Sequence, residues 1–196
     1  MDQLKRKLKI LIPLHPRTTP VIVDNNKSHL NTAGLQWSYT QDEDPMSSGT
    51  TYHARVLSTN TVEFDFPYGG VQHATLNLRV DPKYGKDLIF TIEKGQILCH
   101  SYEDCSVLVR FDDEKATNYA GVGAADNSTT TVFIKNYTRF VEEMKSAKRV
   151  RISTNIYHQG APVFEFDVSN FDQEKFKPKG YFGTNKLINL SFIIFY

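Results

Sequence analysis

Thr61-Val62-Glu63-Phe64-Asp65-Phe66 places Val62, Phe64 and Phe66 on one face of an extended chain, and Glu63 and Asp65 on the other. Successive side chains of a β-strand point to opposite faces. Alternation of this kind therefore predicts a strand with one buried and one wet face, the mark of an antiparallel sheet.

The same pattern extends in both directions. Upstream, Gln36-Trp37-Ser38-Tyr39-Thr40 and Tyr52-His53-Ala54-Arg55-Val56-Leu57-Ser58 alternate, with the acidic, turn-rich run Asp42 to Gly49 between them. Downstream, Pro67-Tyr68-Gly69-Gly70 ends the opening strand. Strands are then expected at 74–80, 88–92, 96–99 and 105–111, separated by turns such as Asp81-Pro82-Lys83-Tyr84-Gly85 and Asp112-Asp113-Glu114. Short strands closed by turn residues predict a sandwich or open barrel.

One segment changes period. Phe140, Val141, Met144 and Ala147 recur at helical spacing, with Glu142, Glu143, Lys145 and Lys148 on the other side. This predicts one short amphipathic helix at about 136–147. Two strands, 150–157 and 163–168, follow as a hairpin about His158-Gln159-Gly160-Ala161-Pro162. The predicted fold is mainly β: an antiparallel, jelly-roll-like β-sandwich with one helix. Its expected organisation is an extended or disordered leader at 1–35, a sandwich domain at 36–171, and a linker and apolar tail at 172–196. Pro20-Val21-Ile22-Val23 could add an edge strand.

Composition narrows the function. Hydrophobic residues are 40% and charged residues 23%, as in an ordinary globular domain. Aromatics reach 12% and lie among β-branched neighbours, which suits pleated, half-buried surfaces. The net charge is +1, and basic residues are scattered apart from Lys5, Arg6, Lys7 and Lys9. Nucleic acid is therefore not expected as a partner, since its binders concentrate positive charge against phosphates. The basic cluster precedes Ile10-Leu11-Ile12-Pro13-Leu14, an apolar run shorter than the roughly 7–15 residues of a signal-peptide core, so no intact signal peptide is read. No stretch approaches the ~20 apolar residues of a membrane-spanning helix.

Cys99 and Cys105 are the chain's two cysteines. They bracket His100-Ser101-Tyr102-Glu103-Asp104 between two expected strands, where a hairpin would bring its flanks within disulfide reach. A bridge closing so small a loop contributes on the order of 2 kcal/mol and implies an oxidising compartment. Two reduced thiols in a cytosolic protein are the alternative. The spacing lacks a zinc pattern, and no metal or cofactor is expected. His15, His29, His53, His73, His100 and His158 fall on different segments without a catalytic motif. Asp42-Glu43-Asp44 and Asp112-Asp113-Glu114 read as turn acids rather than calcium loops. Gly121-Val122-Gly123-Ala124-Ala125-Asp126 lacks the third glycine and the strand-to-helix context of a nucleotide loop.

The order of features from Trp37 to Phe171 resembles small bacterial envelope proteins, often lipoproteins, and more distantly the type VI secretion-associated VasI proteins. The residues that carry this are Trp37 with Asp44-Pro45-Met46-Ser47, the Cys99/Cys105 pair, and Val107-Leu108-Val109-Arg110-Phe111. Ser128 to Phe133 before the helix, Ala147 to Ile152, and Phe164 to Phe171 complete the set. The resemblance implies an exported, periplasmic β-sandwich with no catalytic residues to carry over. The expected function is thus a non-catalytic accessory or protein-binding domain of the bacterial envelope, with a protein partner. The alternatives are a cytoplasmic or phage-encoded interaction protein, and a hydrolase with a spatially assembled histidine and acid site.

Overall fold

A computed structural model describes residues 36–177. These residues form β1 (Ser38–Glu43), β2 (Thr50–Leu57), β3 (Val62–Phe64), β4 (Gly70–Gln72), β5 (Ala74–Asp81) and β6 (Gly85–Ile92). They continue with β7 (Cys105–Phe111), β8 (Thr117–Gly123), β9 (Thr131–Ile134), α1 (Tyr137–Ser146), β10 (Arg149–Thr154), β11 (Val163–Asp167) and α2 (Gln173–Phe176). Nine strands make one sheet in the order β1-β2-β5-β6-β9-β8-β7-β10-β11, while β3 and β4 pair as a separate ribbon. Every pairing in the sheet is antiparallel.

The sheet bends back over itself. Phe90 of β6 meets Phe164 and Phe166 of β11 at ring-centroid distances of 5.7 and 6.3 Å, although four strands separate β6 from β11 within the sheet. The result is a sandwich built from one continuous sheet rather than a closed barrel. Period-2 alternation supplies its interior: Val56, Leu76, Leu78, Leu88, Phe90, Val107, Val109 and Ile152 all point inward and are buried. Each such side chain contributes roughly 1.5–3 kcal/mol of burial free energy.

The opening segment is shorter as a strand than its alternation predicts. Pairing ends at Phe64 opposite Gly70, and the Tyr68 amide donates to the Asp65 carbonyl to close a turn through Pro67. Phe64 is buried, but Phe66 is 89% exposed. Alternation marks which side chains could be buried; it does not supply the partner strand that buries them. Residues 96–99 likewise form no strand, and Ile97 makes a single bridge to Ile156. β8 is a strand the alternation did not announce.

α1 matches the expected helix within a residue at each end. Phe140, Val141 and Met144 are buried, and Phe140 packs edge-on against Phe111 and Tyr119 at 5.2 and 5.9 Å. Polar contacts fix its rotation. The Tyr119 hydroxyl donates to Glu143 at 3.1 Å, Arg139 Nε donates to the same carboxylate at 2.7 Å, and the guanidinium lies 5.0 Å above the Tyr119 ring.

Residues 172–177, read from sequence as the start of a linker, instead pack against the sheet. The Asp172 carboxylate caps α2 by accepting from the Glu174 and Lys175 amides at 3.0 and 3.1 Å. Phe176 is buried against Phe171, which in turn meets Trp37 edge-on at 5.1 Å. The expected leader, the Pro20–Val23 strand and the tail beyond 177 lie outside the described residues.

Side chains finish the β11 edge. Asn60, in the connection after β2, donates from Nδ2 to the Val163 carbonyl at 2.9 Å and accepts from the Glu165 amide at 2.7 Å. The Thr59 amide donates to the Glu165 carbonyl at 2.7 Å, and Gln36 Nε2 donates to the Asp167 carbonyl. The β2–β3 connection thus stands in for a neighbouring strand and ties the two halves of the bent sheet together.

Candidate functional site

Cys99 and Cys105 are joined by a disulfide, with Cα atoms 5.2 Å apart. The bridge does not pin a hairpin, as the sequence suggested, because residues 96–99 form no strand to pair with β7 and β6, the strand before them, is not a neighbour of β7. β6 pairs with β9, whereas β7 pairs with β8 and β10. The chain from Glu93 to Asp104 is a crossover that carries the backbone from one part of the sheet to another.

The crossover rests on β8. The Gly123 amide donates to the His100 carbonyl at 3.0 Å. A Cβ on Gly123 would collide with the backbone of Cys99, His100 and Ser101, and one on Gly121 would press on Val107, Val132 and Cys105 Sγ. Neither glycine needs its conformational freedom here. Both are small because another piece of backbone, or a disulfide, occupies the space a side chain would take. The Ile97 amide donates to the Thr129 carbonyl and the Leu98 amide to the Asn155 carbonyl, both at 2.8 Å, and Lys135 pairs with Asp104 at the loop's far end.

This anchoring displays the loop's own side chains. The rings of His100 and Tyr102 stack at 5.1 Å with an interplanar angle of 13°, and Tyr102 is 82% exposed. A recess of about 180 Å³ opens between this pair and the turn from Ala124 to Thr129. On the other side of the bridge a second recess, bordered by Leu98, Glu103, Ser106 and Asn155, leads onto the outer sheet face. There the register sets exposed Leu108 and Val163 on either side of Ser153, which is itself buried and donates to the Ala161 carbonyl at 2.9 Å. Leu98, Tyr102, Leu108, Tyr157 and Val163 are all exposed apolar residues of this one region.

The neighbouring charged rows are mostly paired among themselves, the exception being the buried Arg149 Nε, which has no hydrogen-bond partner and lies 3.7 Å from the Glu165 carboxylate. Arg110 and Arg151 face each other across β7 and β10, a repulsive placement. Arg110 Nε donates to the Glu114 carbonyl and Arg151 Nη1 to the Asp112 carbonyl, each at 2.8 Å, while Arg151 Nε donates to Glu165 at 2.9 Å. Asp112 accepts from the Lys148 and Arg149 amides at 3.0 and 2.9 Å, and Asp44 accepts from the Met46 amide and the Ser47 hydroxyl. That Ser47 bond, more than any other contact, holds the Asp44 carboxyl below its ordinary pKa. Asp112 and Asp44 therefore serve turns, whereas Asp42 and Glu43, read from sequence as turn acids, are the last residues of β1 and pair with Thr51 and Thr50 of β2. Among the described residues no group of three or more His, Cys, Asp or Glu side chains is placed to hold a metal ion.

The histidines do not converge. His53 contacts Asn77 at 3.3 Å and Asp42 at 3.7 Å on the outer face of β2, His100 stacks on Tyr102, and His158 packs against Tyr157. Burial, with Arg55 second, pulls the His53 pKa below its ordinary value. His73 Nδ1 lies 3.3 Å from Ser58 Oγ, and Glu93 is near, but the relay geometry of a nucleophilic serine is missing. Ser58 is buried, donates to the Asn60 carbonyl and accepts from the Ala74 amide, and Glu93 accepts from the His73 backbone rather than from its ring. His15 and His29 lie outside the described residues.

No protein-family model matches the chain, and no curated protein matches it. Among solved structures it is similar to the crystal structure of invasion associated protein B from Bartonella henselae. The identity is 14%, the TM-score is 0.41, and the match covers 69% of this chain and 86% of that one. The resemblance to envelope and VasI proteins accordingly rests on the residues quoted above. Among the described residues no helix is long and apolar enough to cross a membrane.

Proposed function

We propose that this chain is a non-catalytic, protein-binding accessory domain of the bacterial cell envelope, and that it makes its contact with the disulfide loop and the adjoining outer face of β7, β10 and β11. One observation carries the reading: the bridge between Cys99 and Cys105 holds the stacked His100–Tyr102 pair out into solvent beside exposed Leu98. An aromatic displayed on a loop of restricted freedom contributes contact area at low entropic cost, as interface anchors do. The bridge suits an oxidising compartment such as the periplasm.

The test is made in the native host. A photo-crosslinking amino acid at Tyr102 should give one discrete adduct in the envelope fraction, and the same probe at Tyr84, also exposed but far along the sheet, should not. Adducts of equal yield from both positions, or a chain found with free thiols in the cytoplasmic fraction, would sink the proposal.

A further inference from the structure

The two edges of the nine-stranded sheet are finished differently. At β11, Asn60, Thr59 and Gln36 occupy backbone groups that a further strand would need. β1 pairs only with β2 among the described strands. Its sequence, Ser38-Tyr39-Thr40-Gln41-Asp42-Glu43, contains no proline and no lysine, the residues by which proteins commonly blunt an open edge.

We propose that β1 is where two copies of this chain join, edge to edge and antiparallel, about a two-fold axis. Charge singles out this occupant. Antiparallel pairing sets residues of the same face opposite one another, so a symmetric register must be centred on a residue rather than between two. Centring on Thr40 or on Gln41 overlaps nearly the whole strand. The first sets the partner's Asp42 opposite Ser38, and the second sets it opposite Thr40.

Both positions lie beside Arg55 on the same outer face. Ser38 is the register partner of Arg55 on β2, and Thr40 Oγ1 accepts from Arg55 Nη1 at 3.1 Å. The Asp42 side chain is 71% exposed, with His53 at 3.7 Å as its ion-pair neighbour within its own chain. Symmetry repeats the Arg55–Asp42 contact, so an isologous edge gains two charge pairs at once.

Sedimentation velocity on the full chain over a wide concentration series tests this. The unsubstituted chain should dimerise. D42R and R55D should each weaken association roughly tenfold, and the double variant D42R/R55D should recover it, as charge pairs across an interface do. Cysteine placed on the edge gives a second readout. Oxidised T40C should form a covalent dimer in the register centred on Thr40, and Q41C in the register centred on Gln41, whereas T75C, on the outer face but on β5, should link in neither. A monomer at every concentration overturns the proposal, as would follow if residues 1–35 or another protein took this edge. A dimer that ignores both charge reversals, or that neither T40C nor Q41C links, overturns it equally.

Discussion

The amide of Gly123 donates to the carbonyl oxygen of His100 across 3.0 Å, and at that point the crossover backbone lies directly on β8. A strand interior is ordinarily a poor place for glycine, which packs nothing and loses more entropy than other residues on ordering. Here the missing side chain is what admits the loop. Gly123→Ala should therefore destabilise the fold by about 2–3 kcal/mol, because the atoms met belong to backbone that cannot step aside. Gly121→Ala should cost less, about 1 kcal/mol, since it meets the ends of Val107 and Val132 and the Cys105 sulfur. Urea denaturation of the two variants checks the order as well as the size.

Asn60 and β11 offer a test of the sheet's other closure. Asn60→Ala removes one donor and one acceptor from an otherwise open edge and should cost about 1–2 kcal/mol. Asn60→Asp keeps the acceptor for the Glu165 amide but loses the donor to Val163, and should fall between wild type and alanine. Equal stability of all three in chemical denaturation would show that the β2–β3 connection does not hold the edge.

Tyr119 reports on the seat of α1. Burial, the Glu143 charge and the hydrogen bond to it raise its pKa to about 12, and burial raises Tyr137 to about 12 as well. A tyrosine whose folded pKa is raised lends stability that is complete below its unfolded value near 10 and disappears as pH climbs toward 12. Tyrosinate absorbance should therefore show Tyr119 and Tyr137 titrating late, or only on unfolding, and Tyr119→Phe should remove one such ring. That variant should also cost about 1 kcal/mol at neutral pH through the lost bond to Glu143.

His53 acts in the opposite sense. Its folded pKa lies below the ordinary value near 6.5, so the unfolded chain binds its proton first as pH falls. Its contribution is complete above about 6.5 and is lost on acidification toward the lowered folded value. Melting curves between pH 7.5 and 5, chosen to span the ordinary ~6.5, should show His53→Asn losing less stability than wild type across that window.

What could be read from sequence divides along physical lines. β5 was legible because Leu76 and Leu78 alternate with polar neighbours, and β2, β6 and β7 because short β-branched and aromatic runs holding Val56, Phe90, Val107 and Val109 are bounded by turn residues; all six side chains are buried. α1 was legible because Phe140, Val141 and Met144 keep helical spacing. β8 was hidden because Gly121 and Gly123 read as loop, and their function is to make room for backbone distant in sequence. Phe66 misled for the converse reason: its place in the alternation is right, but the turn closed by Asp65 and Tyr68 leaves it without a partner strand. The Cys99–Cys105 pairing could be anticipated from spacing, whereas its setting in a crossover rather than a hairpin depends on strand order, which local pattern does not encode.

The central claim is that the bridge between Cys99 and Cys105 forms in the working protein and holds the crossover on β8. Thermal melting of Cys99→Ser beside wild type, in non-reducing buffer and under strong reductant, tests it most directly. A loss of about 2 kcal/mol without reductant corresponds to roughly 4–8 °C in melting temperature for a chain of this size, and the difference should vanish once wild type is reduced. The same depression in both buffers would mean that the serine disturbs packing alone, and would contradict both the clasp and the oxidising compartment inferred from it.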